Sequence, residues 1–191
     1  MASRAVRLLR SLLCGPFALC LLVPGVCLGG ESYGARAEVM APGGKCTSSE
    51  VTITIERMAT PEERGAIFAA IRSGDETKIR KAFAAQPAVG TVDRGRSKLP
   101  VKLAVSYPRG KGKTVVMVCD EPLTYIGGDV PDVEPEPGFR LAYLVLSLAA
   151  DGRGTGEIAP AATLRVREDG TVAVAGSGAS FIDLEDVVRQ K

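Results

Sequence analysis

The sequence contains no histidine and no tryptophan, and aromatic residues make up only 5% of its 191 positions. Without histidine, Ser–His and Cys–His catalytic pairs and every histidine-ligated metal site are excluded. Without tryptophan there is no indole platform on which to stack a sugar, which argues against a glycosidase although carboxylates are plentiful. Charge of one sign is scarce as well. The 24 basic residues face 22 acidic ones, too small an excess for a general nucleic-acid binder, whose basic residues dominate a face. Cys119 has no CxxC partner, which removes a thioredoxin-type redox motif. What is present is ordinary: the apolar fraction of 46% suits a folded chain, and the length suits one domain with or without a tail.

The first thirty residues differ from the rest. Arg4, Arg7 and Arg10 form a positive start with no acid, and residues 11–30 then carry no charge and are rich in Leu, Val, Cys and Ala. This is the pattern of a secretory signal peptide over residues 1–30. Its length also admits a spanning helix, so the alternative is an uncleaved membrane anchor; against it, Gly15, Pro16 and Pro24 interrupt the apolar run. A cut after Cys27 or Gly29 lies near that run, and Ala35-Arg36-Ala37 places a small-x-small site as late as residue 37. Ala18-Leu19 and Gly25-Val26 lack the small residue wanted just before a lipid-modified cysteine at Cys20 or Cys27.

Removing the segment takes away three arginines and no acid, so a small basic excess becomes an acidic excess of one. It also leaves two cysteines, Cys46 and Cys119. In an exported chain these permit one disulfide; equally, Cys119 is a small buried residue within an apolar strand.

Residues 31–49 mix Gly, Ala, Pro and Ser without periodicity and read as a flexible leader, which makes residues 50–191 a single domain. Val51-Thr52-Ile53-Thr54-Ile55 alternates like a strand with one buried face. Thr60-Pro61-Glu62-Glu63 then reads as a helix start, with a threonine cap, proline at the first helical position and a glutamate placed to reach back. Ile67, Phe68 and Ile71 recur at helical spacing before Gly74. A second short helix follows Asp75, with Ile79 and Phe83 on one face, and ends at Pro87.

Strand patterns fill the remainder: residues 89–92, 101–107, 113–119 and 139–148, then 156–159, 164–167, 171–174 and, as strand in preference to helix, 181–188. In the 139–148 stretch, Leu141, Tyr143, Val145 and Ser147 alternate with Ala142, Leu144, Leu146 and Leu148. Both sets are apolar apart from Ser147, so this strand should be packed on both sides. The expected fold is α+β, a mostly antiparallel sheet of about six to eight strands with the two helices packed on one face.

Few constellations carry chemistry. Gly110-Lys111-Gly112-Lys113-Thr114 ends like a phosphate loop, but Tyr107 stands where the first glycine belongs and a strand follows instead of a helix. It reads as a hairpin turn, as does Gly152-Arg153-Gly154-Thr155-Gly156. Asp129, Asp132, Glu134 and Glu136 alternate with prolines in a loop whose spacing matches no EF-hand, so solvated and extended is the reading. Arg94, Arg96 and Lys98, with Arg109, Lys111 and Lys113, could bring two basic turns together as a patch for anionic polymers or headgroups; ordinary surface charge is the other reading.

Thr60-Pro61-Glu62-Glu63-Arg64, Ser73-Gly74-Asp75 and Pro87-Ala88-Val89-Gly90, with Asp120-Glu121-Pro122-Leu123 and the Gly154 to Pro160 stretch, resemble a family of small secreted bacterial proteins of unassigned function. The resemblance spans residues 50–189 and departs from the family in loop 124–138. It implies an exported bacterial domain and carries over no catalytic residue.

Together these features lead us to expect no catalytic residue, no cofactor and no metal site, and a non-enzymatic binding or interaction domain in the periplasm or secreted. Its partner would be another envelope or secreted component, with no nucleic acid and no membrane contact beyond the targeting segment. The alternative from a different class is a carboxylate-dependent hydrolase built on Asp120, Glu121 and the acidic loop.

Overall fold

The computed structural model describes residues 30–40, 46–96, 98–125, 127, 132 and 134–190. Residues 1–29 of the targeting segment, and Asp129, lie outside them. Nine strands and two helices follow one another as β1 (Glu31–Met40), β2 (Cys46–Ile55), α1 (Pro61–Ser73), α2 (Glu76–Ala84), β3 (Gly90–Asp93), β4 (Lys98–Arg109), β5 (Gly112–Cys119), β6 (Leu141–Leu148), β7 (Arg153–Val166), β8 (Val172–Ser177) and β9 (Ile182–Gln190). Every strand pairing is antiparallel. The expected mostly antiparallel sheet with two helices is therefore present, but it is not open. β1 lies between β2 and β9, and β6 pairs with β7, so eight strands close into a barrel, with β8 as an extra strand on β7.

Closure depends on the segment expected to be a flexible leader. Residues 31–40 instead form β1, with Tyr33 and Ala37 fully buried, and β2 begins at Cys46. The inward positions of β1 include one tyrosine, two alanines and the partly buried Val39, and the outward ones Gly34, Arg36 and Glu38, so its alternation is weak in hydropathy. The two strand segments expected at 156–159 and 164–167 are one long strand, β7. Its first part pairs with β9 on the edge where its last part pairs with β8.

Side chains fill the interior. Tyr33, Ile53, Met117, Leu144, Leu146 and Ile158 belong to one cluster and are all fully buried, as expected for an eight-stranded barrel whose core is just wide enough for side chains. A second cluster lies outside the wall, where Ile67, Phe68 and Ile71 of α1 and Phe83 of α2 pack with Leu103, Val105, Val116, Val118 and Tyr143. The alternation expected for β6 divides between the two clusters: Ala142, Leu144, Leu146 and Leu148 face inward, Leu141, Tyr143 and Val145 outward. A register shift between Val101 and Leu103 moves β4 from the inner cluster to the outer one within two residues, as a bulge does.

The helices begin where the sequence indicates. The Thr60 side chain accepts from the Glu63 N–H at 3.3 Å, and the Glu63 carboxylate accepts from the Thr60 N–H at 2.8 Å. Arg57 adds two hydrogen bonds of 2.7 Å to the same carboxylate, holding Glu63 down at a pKa of about 2. Gly74 ends α1 at φ +66°, a left-handed position that costs glycine nothing.

Each barrel end is closed by polar groups. At the end where β1 begins, the Glu31 carboxylate accepts from Lys113 Nζ at 2.8 and 2.6 Å and from the Tyr33 hydroxyl at 2.9 Å. Burial pushes the Glu31 carboxyl up, but these bonds outweigh it and the net shift is downward. At the other end Arg94 is buried and donates to the Tyr125 carbonyl at 2.6 Å, while the Arg96 guanidinium lies 5.2 Å from the centre of the Tyr125 ring. The two basic turns thus flank opposite ends of β4 and form no common patch. Cys46 is exposed and Cys119 is fully buried among the interior side chains, both as free thiols. The pairing the sequence permits is not formed, and Cys119 packs as a small core residue. Burial pushes its thiol upward, keeping it neutral.

Candidate functional site

With the interior filled, the space for a ligand lies outside the wall. A groove of about 700 Å³ runs between the helix pair and the connection from β5 to β6. Ile71, Ile79 and Arg80 form the helix side, Leu141, Ala162, Thr163 and Leu164 the floor, and Pro135 to Arg140 the opposite side, with Asp120 and Glu121 at its margin.

Local chemistry explains why the connection stands where it does. After β5, Leu123 turns into the interior cluster and its N–H donates to the Pro160 carbonyl at 2.7 Å. Further on, Glu136 N–H donates to the Gly178 carbonyl at 3.2 Å, and Gly178 N–H to the Ala161 carbonyl at 2.9 Å. Phe139 packs against Gly178, where a Cβ would stand 2.6 Å from its ring, so only glycine admits the ring there. Arg140 bridges to Glu76 at the start of α2 over 2.8 Å. This is an exposed pair that positions more than it stabilises.

The structure brings together three of the acids singled out from the sequence: Asp120, Glu121 and Glu136 all line this groove. Asp132 and Glu134 are exposed on the same connection. Asp120 is half-buried and faces Lys102 Nζ at 3.8 Å, and that ammonium also donates to the Gln86 carbonyl at 3.0 Å. Glu121 and Glu136 are exposed and have no ion-pair partner among the described residues. Acid–base hydrolysis by two carboxyls needs one of them held neutral in an apolar pocket beside an ionised one. Here the acids sit on the rim and the floor is apolar. No group of three or more ligating side chains suited to a metal occurs among the described residues.

Residues that sequence reasoning missed are Arg80, Phe139, Arg140 and Thr163. They come from separate parts of the chain, and only the fold unites them. The one available signal was Ile79, spaced to share the buried face of α2 with Phe83. It is only partly buried and turns toward the groove.

Of the glycine- and lysine-rich stretch, Gly110 and Lys111 form the β4–β5 hairpin turn and residues 112–114 already belong to β5; Gly152 lies in the turn between β6 and β7, while residues 153–156 are strand. Neither faces a helix N-terminus. No helix among the described residues is long and apolar enough to cross a membrane. No family model, curated protein or solved structure matches this chain.

Proposed function

We propose that the protein is a non-enzymatic binding domain of the bacterial periplasm or cell envelope, and that it holds its partner in the groove between the helix pair and the β5–β6 connection. The observation that carries this reading is a largely apolar floor with two exposed carboxylates at its margin, Glu121 and Glu136, that have no ion-pair partner among the described residues. That combination suits a polypeptide segment with an apolar centre and basic flanks better than it suits bond cleavage. The resemblance to secreted bacterial proteins and the character of residues 1–29 support export.

The fold adds a constraint on export. A cut after Cys27 or Gly29 keeps β1 whole, whereas one after Ala37 would remove Tyr33 and Ala35 from the interior and open the barrel. Mass spectrometry of the exported form should therefore place its first residue before Glu31. Full-length chain retained in the cytoplasm, or a chain beginning at Glu38, contradicts the reading.

The binding reading is tested by capture from envelope extracts with the exported protein and with Thr163→Arg, which puts a long cation across the groove floor. A component held by the first and lost with the second supports the reading. Identical captures by both contradict it.

A further inference from the structure

We propose that the free edge of β8 is a second binding site, which takes an extended peptide segment of a partner as an added strand. β8 pairs with β7 alone, and among the described strands it ends the sheet. Val172 and Val174 lie opposite Val166 and Leu164. The hairpin bond from Arg167 N–H to the Thr171 carbonyl, 2.8 Å, fixes the alternation of the ladder. Residues 172 and 174 then turn their N–H and C=O away from β7. The structure agrees at Val172, whose carbonyl accepts from the Tyr143 hydroxyl at 3.3 Å. Two residues on, Val174 stands opposite Leu164 at the last regular pair before the register shifts.

That edge borders a groove of about 440 Å³, with Val172, Ala173 and Val174 on one side and Tyr107, Tyr143 and Val145 of the barrel wall on the other. Edge strands are normally guarded by lysine, proline or a covering element. The sequence of β8, Val172-Ala173-Val174-Ala175-Gly176-Ser177, has neither lysine nor proline, and its one irregularity is the bulge where Leu164 and Thr163 face Val174 and Gly176. Strand addition uses such an edge: main-chain bonds supply the affinity, and pockets for alternate side chains supply the selectivity.

The walls specify the occupant. Tyr107, Tyr143 and the half-exposed Phe181 offer aromatic surface to apolar side chains at alternate positions. Glu157, exposed and without an ion-pair partner among the described residues, lines the same groove with Asp169 and Arg167, and this acidic excess favours a Lys or Arg at one end of the segment.

The test presents the tagged protein, as exported by its host, with a phage-displayed pool of random heptapeptides. Enriched peptides should carry apolar residues at alternate positions and a basic residue at one end. Val174→Pro, which removes an edge donor at a position proline tolerates, should weaken their binding at least tenfold. N-methylation of the bound peptide's backbone should do the same with the protein unchanged, and added peptide should slow hydrogen exchange at Val174 N–H at least tenfold. The proposal is overturned if no peptide is enriched or if N-methylated peptides bind as well as the parents. It is equally overturned if sedimentation shows that the β8 edge pairs two copies of this chain.

Discussion

The barrel has two unlike walls. Along β1, β2 and β9 the outward side chains include Arg36, Glu38, Ser48, Glu50, Asp183 and Glu185, and nothing covers them among the described residues. Along β4, β5, β6 and β7 the outward side chains are Leu103, Val105, Val116, Val118, Tyr143 and Leu164, and the helices pack over them. The interior faces of both walls are alike in being apolar. The outer pattern alone decides which wall acquires a second layer; the first groove lies where that layer meets the barrel, and the second lies between β8 and the same wall. A covered wall creates margins, and margins are where a small filled barrel can hold a partner.

The contrast is tested most severely by stability. Phe83 is fully buried between α2 and the wall, so Phe83→Ala should cost about 3–5 kcal/mol. Ser48→Ala on the bare wall should change stability by less than about 0.5 kcal/mol. Urea unfolding of the two variants measures both. Equal losses would mean that the helices contribute no more than a surface residue.

Next in size is Glu63, which anchors the start of α1. With its folded pKa near 2 against an ordinary 4.5, its contribution is complete above pH 4.5 and fades as the pH falls toward 2. Removing its charge-assisted bonds in Glu63→Gln should cost about 1.5–3 kcal/mol at neutral pH. The variant's deficit should shrink across the same acid window, which unfolding curves at stepped pH would reveal. A deficit independent of pH would remove the ion pair from the account. Thr60→Ala, which deletes only the cap's side-chain acceptor, should cost about 1 kcal/mol and shift the urea midpoint without altering its slope.

The smallest effect belongs to the bare wall. Asp186 stands at φ +50°, where the β1–β9 register shifts, and its carboxylate reaches Arg36 across 3.1 Å of exposed surface. Glycine relieves the left-handed backbone at the expense of a weak exposed pair. Asp186→Gly should therefore raise stability by a few tenths of a kcal/mol, measurable as a small rise in melting temperature.

How far the sequence could be read follows from how strongly each element marks itself. The α1 cap and both faces of β6 were legible because Thr60, Glu63 and the Leu-rich alternation act locally. β1 was not, because two of its inward residues are alanine, and alanine carries little hydropathic contrast with Gly34 or Ser32. Missing β1 meant missing closure, since without it β2 and β9 are two edges of an open sheet. The groove's acids were visible as a cluster in the chain, but Arg80 and Thr163 join them in one lining only after the sheet has curled. The β8 edge was hidden for the same reason: residues 171–174 read as a strand, while its lack of a second neighbour is a property of topology.

The most direct test of the binding reading compares the two walls in the living host. A photoreactive p-benzoylphenylalanine replaces Thr163 in the groove floor or Glu50 on the bare wall. The account predicts a discrete crosslinked adduct from position 163 and none from position 50. An adduct from position 50 alone, or none from either, would contradict it.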